Sequence, residues 1–139
     1  MFRYLLRYRF PMEIRPYAAT DREACLAVCD SIGHDRSLLE KAIGEMQFFV
    51  AEHDGAIIGC GGFAIDGTAA RLLHGMVHRD WQRQGLGRFL LFYRLREISK
   101  SGAVTFVTAT PPDDAIGFFE KQGFRRENGV LTKKLTVCT

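Results

Sequence analysis

Short stretches of alternating hydrophobic and polar residues, or of β-branched residues, run through the chain between turn signals. Both patterns are typical of strands with at least one buried face. Asp54-Gly55, Asp66-Gly67 and Asn128-Gly129 are two-residue hairpin signals, and each lies between two such stretches. The predicted strands cover residues 12–17, 47–52, 56–65, 68–78, 103–110, 124–127 and 130–137.

Helical signals fill the remaining segments. Thr20 or Asp21 is the expected cap of a helix that runs through about Cys29, and Glu23 follows Thr20 at the spacing of a capping box. Further helices are expected at residues 35–43, from a glycine-containing loop to residue 100, and from residue 113 onward. The resulting order, β-α-α-β-β-β-α-β-α-β-β, predicts an α+β domain with a mixed sheet.

Size and charge exclude several classes of protein. The 139 residues fit one domain with a single core, and no apolar run is long enough to span a bilayer. The net charge of +3 belongs to residues 1–11, because the remaining 16 of the 19 basic residues balance the 16 acids. A neutral body does not favour nucleic-acid binding through a broad basic face, so neither a nucleic acid nor a membrane is expected as a partner.

Residues 1–11 are interpreted as an N-terminal extension ahead of a single domain at 12–139. Arginines interrupt the apolar residues of this segment too often for a signal peptide, and the lack of serine does not favour a transit peptide. Cys25, Cys29, Cys60 and Cys138 form neither a disulfide framework nor a zinc pattern. We therefore expect reduced thiols, no metal and a cytoplasmic location.

The segment from Val77 to Arg88, VHRDWQRQGLGR, carries the clearest chemical signal. It joins a strand to a helix, and the first N–H groups of such a helix form a site for an anion such as a pyrophosphate. Gly85 and Gly87 let the backbone approach phosphates closely, with Gly85 free to take a positive φ. Arg83 and Arg88 can add charge-assisted hydrogen bonds. Taken alone, the loop is equally consistent with a tight turn.

A second block about thirty residues further on makes the pattern specific. It is FFEKQGF at residues 118–124, and the first block is QRQGLG at residues 82–87. In this order and at this spacing they resemble the signature blocks of the GCN5-related N-acetyltransferase (GNAT) family, Gln/Arg-x-x-Gly-x-Gly/Ala and Phe-Tyr-x-x-x-Gly-Phe. The resemblance extends from about Met12 to the C-terminus.

The resemblance implies an α/β/α layered fold with a mixed, mostly antiparallel sheet. It also implies that acetyl-CoA lies across the sheet, with its pyrophosphate on the glycine loop and its pantetheine arm along the preceding strand. The backbone N–H of Val77 would then face the thioester oxygen as an oxyanion-hole donor. The expected acetyl-CoA-binding residues are Val77, His78, Arg79, Arg83, Gln84, Gly85, Leu86, Gly87, Arg88 and Phe119.

A primary amine, with a pKa of about 10.4 for a lysine, must lose a proton before it attacks the thioester. A general base would assist, and the strand 68–78 offers His74 and His78 but no carboxylate. By strict alternation residues 71, 73, 75 and 77 share the face on which relatives often carry the base, and none of these is a base. His74 would reach the site only if the strand has a bulge. Glu52, on a neighbouring strand, is a further candidate.

Phe119 is the main departure from the family pattern. Relatives commonly have a tyrosine here, whose hydroxyl protonates the leaving thiolate. A thiol with a pKa of about 8.5 is a tolerable leaving group, so the loss should slow the reaction without abolishing it. We expect Phe119 to give apolar contact to the acyl–pantetheine arm instead. Pro112 also replaces an asparagine that the family often carries.

The leading hypothesis is an acetyl-CoA-dependent N-acetyltransferase for a primary amine, either a small molecule or a peptide. The alternative is a non-catalytic acyl-CoA-binding or sensing domain, which the missing tyrosine and the missing carboxylate base support. A transferase for an alcohol or for another acyl group is a third reading. The segment 31–46 and the last hairpin contain no recognisable acceptor signature, and no signal decides for or against the homodimer that many relatives form.

Overall fold

The computed structural model describes residues 2–5 and 11–135, and of residues 2–5 only the backbone. Within these ranges the strands are β1 Phe2–Leu5, β2 Pro11–Pro16, β3 Gln47–His53, β4 Ala56–Asp66, β5 Ala69–Val77, β6 Phe106–Ala109, β7 Arg125–Glu127 and β8 Val130–Lys134. The α-helices are α1 Arg22–Ser31, α2 Arg36–Ala42, α3 Leu86–Ser99 and α4 Ile116–Lys121. The observed element order matches the predicted one with β1 added in front.

All of these strands form one sheet in the order β1-β2-β3-β4-β5-β6-β8-β7. The pair β5–β6 is parallel, and every other neighbouring pair is antiparallel. The parallel pair arises because the chain crosses over through α3 before it returns to the sheet, as parallel strands require. The predicted mixed, mostly antiparallel sheet is confirmed.

Helices cover both faces of the sheet. On β3, Phe48 and Val50 point into a core shared with α1 and α2, whereas Phe49 and Ala51 point into the opposite core, shared with α3. Successive side chains of a strand point to opposite faces, so the continuous apolar run of β3 fills both cores. The aromatic side chains of α4 pack against the core on the α3 side. The predicted α/β/α layering is confirmed.

A β-bulge interrupts β5 in the middle of the molecule. Pairing with β4 passes from Gly62↔Leu73 to Cys60↔Met76, so β5 carries one more residue than its partner between these pairs. His74 lies in the bulge with a left-handed φ of 53°. As a result Met76 packs on the α1 side and Val77 on the α3 side. The strict alternation predicted for residues 71, 73, 75 and 77 is therefore wrong, because the extra residue reverses the facing of every side chain after it.

The capping box predicted for Thr20 and Glu23 is also wrong. The helix α1 begins at Arg22, and the carboxylate of Asp21 accepts the Ala18 N–H at 2.8 Å. The same carboxylate is held by the guanidinium of Arg15 at 2.7 and 2.9 Å. That bond lowers the pKa of Asp21, more than its burial raises it. Asp21 thus caps the short turn before α1 through the Ala18 N–H and pairs with Arg15, in place of the predicted contact between Thr20 and Glu23.

The described residues cover the predictions for the two ends of the chain only in part. β1 lies inside the segment interpreted as an extension and pairs antiparallel with β2. The domain boundary at residue 12 stays a prediction. Positions 136–137 of the last predicted strand and Cys138 lie outside the described residues. None of the helices in the described ranges has the length and apolar character needed to cross a bilayer.

Candidate active site

The pairing of β5 with β6 ends before β5 does, and the space beside the unpaired stretch of β5, residues 73–77, is called the wedge below. The two strands pair from Ala69↔Phe106 to Leu72↔Ala109, and β5 then continues alone on that side to Val77. The stretch from Leu73 to Val77 is paired with β4 along its other edge. This leaves the second edge of the stretch open to a ligand that can pair with an extended backbone.

The backbone of Val77 faces this wedge. The N–H of His78 donates to the Ile58 carbonyl at 2.8 Å, and Val77 lies opposite Gly59 in the register. Hydrogen-bonded and non-hydrogen-bonded pairs alternate in an antiparallel ladder, so the N–H and C=O of Val77 point away from β4. The side-chain amide of Gln82 donates to the Val77 carbonyl at 3.2 Å. The Val77 N–H is thus the donor aimed into the wedge.

The loop after β5 places the start of α3 at the mouth of the wedge. Gly85 caps the helix with a left-handed φ of 87°, as the sequence predicted, and has no side chain to cap the helix itself. The first helical hydrogen bond runs from the Phe89 N–H to the Gly85 carbonyl at 3.2 Å. The N–H groups of residues 86–88 therefore have no helical partner. A Cβ on Gly87 would lie 3.9 Å from the Phe118 ring and 4.0 Å from Val77, which places the helix start beside both.

Three exposed arginines surround this helix start: Arg79, Arg83 and Arg88. Within the described part of the chain none of them forms an ion pair with a carboxylate. The guanidinium of Arg88 lies 5.1 Å above the ring of Phe92. The backbone N–H of Arg79 donates to the hydroxyl of Ser31 at 3.2 Å, which ties the loop to the end of α1. Positive charge and unpaired N–H groups thus lie together, as an anion site requires.

His74 lies in the β5 bulge on the side of the sheet that faces the α1–α2 loop. Its ring packs edge-on against His34, with the ring centroids 5.6 Å apart. The Nδ1 atom is buried and has no hydrogen-bond partner among the described residues. Burial lowers the pKa of His74 below its ordinary value, and the charge of His34 lowers it further. A neutral imidazole with a vacant nitrogen can accept a proton.

The other two predicted base candidates are engaged elsewhere. The Nδ1 atom of His78 accepts the N–H of Asp80 at 3.1 Å, which caps the short 3-10 turn Arg79–Trp81. The carboxylate of Glu52 accepts a hydrogen bond from Arg15 at 2.9 Å. Of the three candidates, His74 alone combines burial with an unsatisfied ring nitrogen.

Phe119 belongs to an aromatic cluster on α4, and its predicted contact with the acyl–pantetheine arm stays a prediction. The Phe119 ring packs edge-to-face between Phe118 and Phe124, at centroid distances of 5.3 and 5.2 Å. Phe118, which the sequence reasoning passed over, is the residue whose ring borders Gly87 at the helix start. Gln82 and Ser31 were passed over too. Gln82 opens the first signature block, so its position carried a signal, whereas nothing in the sequence connects Ser31 to the loop.

Gln84 and Leu86 complete the predicted loop residues. The side-chain oxygen of Gln84 is buried without a hydrogen-bond partner among the described residues. Leu86 is fully buried in the core on the α3 side, so it anchors the helix and can offer a ligand only its backbone N–H. Of the predicted loop residues, Gly85, Leu86, Gly87 and Arg88 form the helix start, and their binding of acetyl-CoA stays a prediction.

The chain matches the family model of the acetyltransferase (GNAT) domain over residues 44–126, which is more than half of its length. No curated protein sequence gives a significant match.

Solved structures match over most of the chain. The ribosomal-protein-S18-alanine N-acetyltransferase of Escherichia coli is 21% identical, with a TM-score of 0.77 and coverage of 92% of this chain and 96% of that one. The PaiA N-acetyltransferase of Thermoplasma acidophilum, solved with coenzyme A, is 20% identical, with a TM-score of 0.72 and coverage of 89% and 99%. A GNAT-family acetyltransferase of Elizabethkingia anophelis, solved with acetyl-CoA bound, is 18% identical, with a TM-score of 0.71 and coverage of 89% and 98%.

At these identities the solved structures show the fold, and the family model shows the membership. The predicted family, fold class and enzyme class are confirmed. The chain belongs to the GNAT family of acetyltransferases.

Proposed function

We propose that this protein transfers the acetyl group of acetyl-CoA to a primary amine, with direct attack of the amine on the thioester. Acetyl-CoA is the acyl donor because the chain is a GNAT acetyltransferase. The observation that carries the proposal is the wedge beside β5, with the Val77 N–H pointing into it and unpaired helix N–H groups at its mouth. The acceptor is a small molecule or a peptide that carries the amine.

The loop residues fit the pyrophosphate of this substrate. The N–H groups of residues 86–88 and the positive end of the α3 dipole favour an anion, and Gly85 and Gly87 leave the approach open. Arg79, Arg83 and Arg88 add charge that no carboxylate in the described part of the chain neutralises. The pantetheine amides would pair with the open edge of β5, which leads toward Val77.

The chemical step uses His74 and Val77. The imidazole of His74 takes a proton from the acceptor ammonium, and the free amine nitrogen then forms a bond to the thioester carbon. The developing oxyanion is stabilised by the Val77 N–H. The carbon–sulfur bond breaks and coenzyme A leaves as a thiolate, without a proton from Phe119. The attacking nitrogen loses its second proton to water, which leaves the neutral amide product. Since burial lowers the pKa of His74, the imidazole is neutral and ready to act at neutral pH.

The alternative is an acyl-CoA-binding or sensing domain without turnover. Phe119, packed between two phenylalanine rings and lacking a hydroxyl, is the observation that favours it. A third candidate is a transferase that uses an alcohol acceptor or another acyl-CoA. Its substrates in a thiol-release assay would distinguish it from an acetyl-CoA-dependent amine acetyltransferase.

The test begins with calorimetric titration of the protein with acetyl-CoA, desulfo-CoA and ADP. Binding that depends on the pyrophosphate supports the site, and absence of binding refutes both the transferase and the sensor. Release of free thiol is then followed over a panel of amines, alcohols and acyl-CoAs. Thiol release with amines that falls about 10²-fold or more in His74→Ala supports the proposed base. Tight binding with no thiol release over the whole panel supports the sensor.

We propose three further properties from the sequence alone: a domain boundary at residue 12, no nucleic-acid partner, and assembly as a homodimer. The cytoplasmic location has one structural support. Cys25, Cys29 and Cys60 are buried free thiols, which is typical of a reducing compartment.

A further inference from the structure

A buried cation lies directly beneath the β5 bulge. Arg94, on α3, is only 4% exposed, yet it is an arginine on the face of the helix that packs against the sheet. Its Nε donates to the Leu90 carbonyl at 3.3 Å and its Nη1 to the Gly62 carbonyl at 3.3 Å. No carboxylate among the described residues pairs with it. Within the described ranges, the hydrogen bonds that compensate for the loss of water around this charge are two long ones to neutral carbonyls.

Two glycines make room for the guanidinium. A Cβ on Gly61 of β4 would lie 3.0 Å from Cζ of Arg94, and a Cβ on Gly75 of β5 would lie 2.8 Å from its Nη2. Any larger residue at Gly75 would push the guanidinium aside. Gly75 is itself exposed and lies in the stretch of β5 that borders the wedge. The charge is therefore separated from the open edge of β5 by a backbone without side chains.

Stability does not explain this arrangement. An unpaired buried cation is unfavourable, and a hydrophobic residue of similar volume is often neutral or stabilising at such a position. Burial lowers the pKa of Arg94 to about 10, so the guanidinium still carries its charge at neutral pH. The charged guanidinium of Arg94 thus lies beside the bulge of β5, the strand that carries His74 and Val77.

We propose that Arg94 is a positioning residue for acetyl transfer, which holds the β5 bulge from below and polarises the thioester carbonyl at Val77 through its charge. The proposal rests on the proposed function. Val77 follows Gly75 by two residues, which is about 7 Å along a strand. The guanidinium beside Gly75 is therefore on the order of 7–10 Å from an oxyanion at the Val77 N–H. At that separation and an effective dielectric constant of about 20, a full charge favours an oxyanion enough to change kcat about 10- to 100-fold.

The test compares Arg94→Met, which removes the charge and keeps much of the volume, with Arg94→Lys, which keeps the charge. Arg96→Met is the matched control, since Arg96 is exposed on the same helix. Each protein is assayed for kcat, for KM of acetyl-CoA, for Kd of acetyl-CoA by calorimetry and for Tm. In addition, the ¹³C resonance of the thioester carbonyl of bound [1-¹³C]acetyl-CoA is recorded, which reports polarisation without turnover.

We expect Arg94→Met to keep or raise Tm, to keep Kd within about threefold, and to lose about 10- to 100-fold in kcat. Its bound carbonyl resonance should move toward that of free acetyl-CoA, Arg94→Lys should recover part of both effects, and Arg96→Met should change neither. An unchanged carbonyl resonance in folded Arg94→Met overturns the proposal. Parallel losses of Tm and Kd with that resonance unchanged also overturn it and leave Arg94 a structural residue.

Two further outcomes separate this proposal from the proposed function. If the wild type binds acetyl-CoA but transfers nothing, the transferase function fails, and the carbonyl resonance still decides the role of Arg94. If Arg94→Met does not fold, Gly75→Ala displaces the guanidinium instead, because its Cβ would lie 2.8 Å from Nη2. A lower kcat and a shifted carbonyl resonance in Gly75→Ala support the proposal, and unchanged values of both overturn it.

Discussion

Gly85→Glu tests the placement of the pyrophosphate on the start of α3. The residue has a φ of 87°, and a Cβ built there finds open space, with Cε2 of Phe89 the nearest atom at 4.0 Å. The new side chain therefore fits sterically, and its effect on binding is electrostatic. A carboxylate about 5 Å from a phosphate repels each phosphate charge by about 1 kcal/mol in water and by about 3 kcal/mol at an effective dielectric constant of 20. Two phosphate charges raise this to about 2–6 kcal/mol, or about 30- to 10⁴-fold in Kd.

The assay is calorimetric titration with acetyl-CoA in low salt, with circular dichroism melting to show that each variant is folded. Gly85→Ala separates backbone strain from charge, because it has the same left-handed backbone, worth about 1–2 kcal/mol of destabilisation, but no charge. Gly67→Glu is the matched control, since Gly67 also has a positive φ of 63° and open space around its Cβ position. It lies in the β4–β5 turn, away from the glycine loop.

We expect Gly85→Glu to lose nearly all affinity, Gly85→Ala to lose little affinity but some stability, and Gly67→Glu to lose stability alone. The loss in Gly85→Glu should shrink as salt is added, because exposed charges are screened over about 10 Å at 0.1 M ionic strength. A folded Gly85→Glu protein that binds acetyl-CoA within threefold of the wild type would refute this placement of the substrate.

Three further predictions concern the chemical step. First, kcat/KM should fall as the pH falls through the pKa of His74. The inflection should lie below pH 6.5, because burial lowers that pKa. An inflection above pH 6.5 in the pH–rate profile would contradict this. Second, His34→Gln should move the inflection to a higher pH but leave it below pH 6.5. Burial is the larger cause of the lowered pKa of His74, and the charge of His34 is the smaller cause. An unchanged profile would show that His34 does not act on His74. Third, Phe119→Tyr should raise kcat about tenfold, because it restores a proton donor for the leaving thiolate. Phe124→Tyr, which adds the same hydroxyl to a buried ring, is the control. Equal kcat values for Phe119→Tyr and the wild type in thiol-release assays would show that the thiolate needs no acid here.

Local chemistry accounts for what could be predicted from the sequence. The turn at Asn128-Gly129 has positive φ at both residues, 51° and 82°, as a two-residue hairpin of this composition requires. Asp35 caps α2 by accepting the Ser37 N–H at 2.9 Å, at the predicted start of that helix. Gly85 has the positive φ expected for it. In each case the residue and its immediate neighbours determine the conformation, so the pattern is readable along the chain.

Partners distant in sequence account for what could not be predicted. The Phe118 ring on α4 borders Gly87 at the start of α3, although the two residues lie far apart in the chain. The strand β6 is shorter than the β-branched run predicted, because its pairing with β5 and β8 is limited to residues 106–109. None of these outcomes follows from residue type, since each depends on which elements the sheet and helices bring together.

The sequence by itself determined the element order, the hairpin turns, the glycine loop and the family, because each depends on periodicity or on residues close together in the chain. Only the tertiary structure decided which residues form the site. The bulge in β5 is set by its register with β4, and it brings His74 against His34 and turns Val77 toward the wedge. The burial of Arg94 beneath Gly75 likewise depends on how α3 packs on two strands. A one-residue shift in register exchanges the two faces of a strand, and only packing on both faces selects one register over the other.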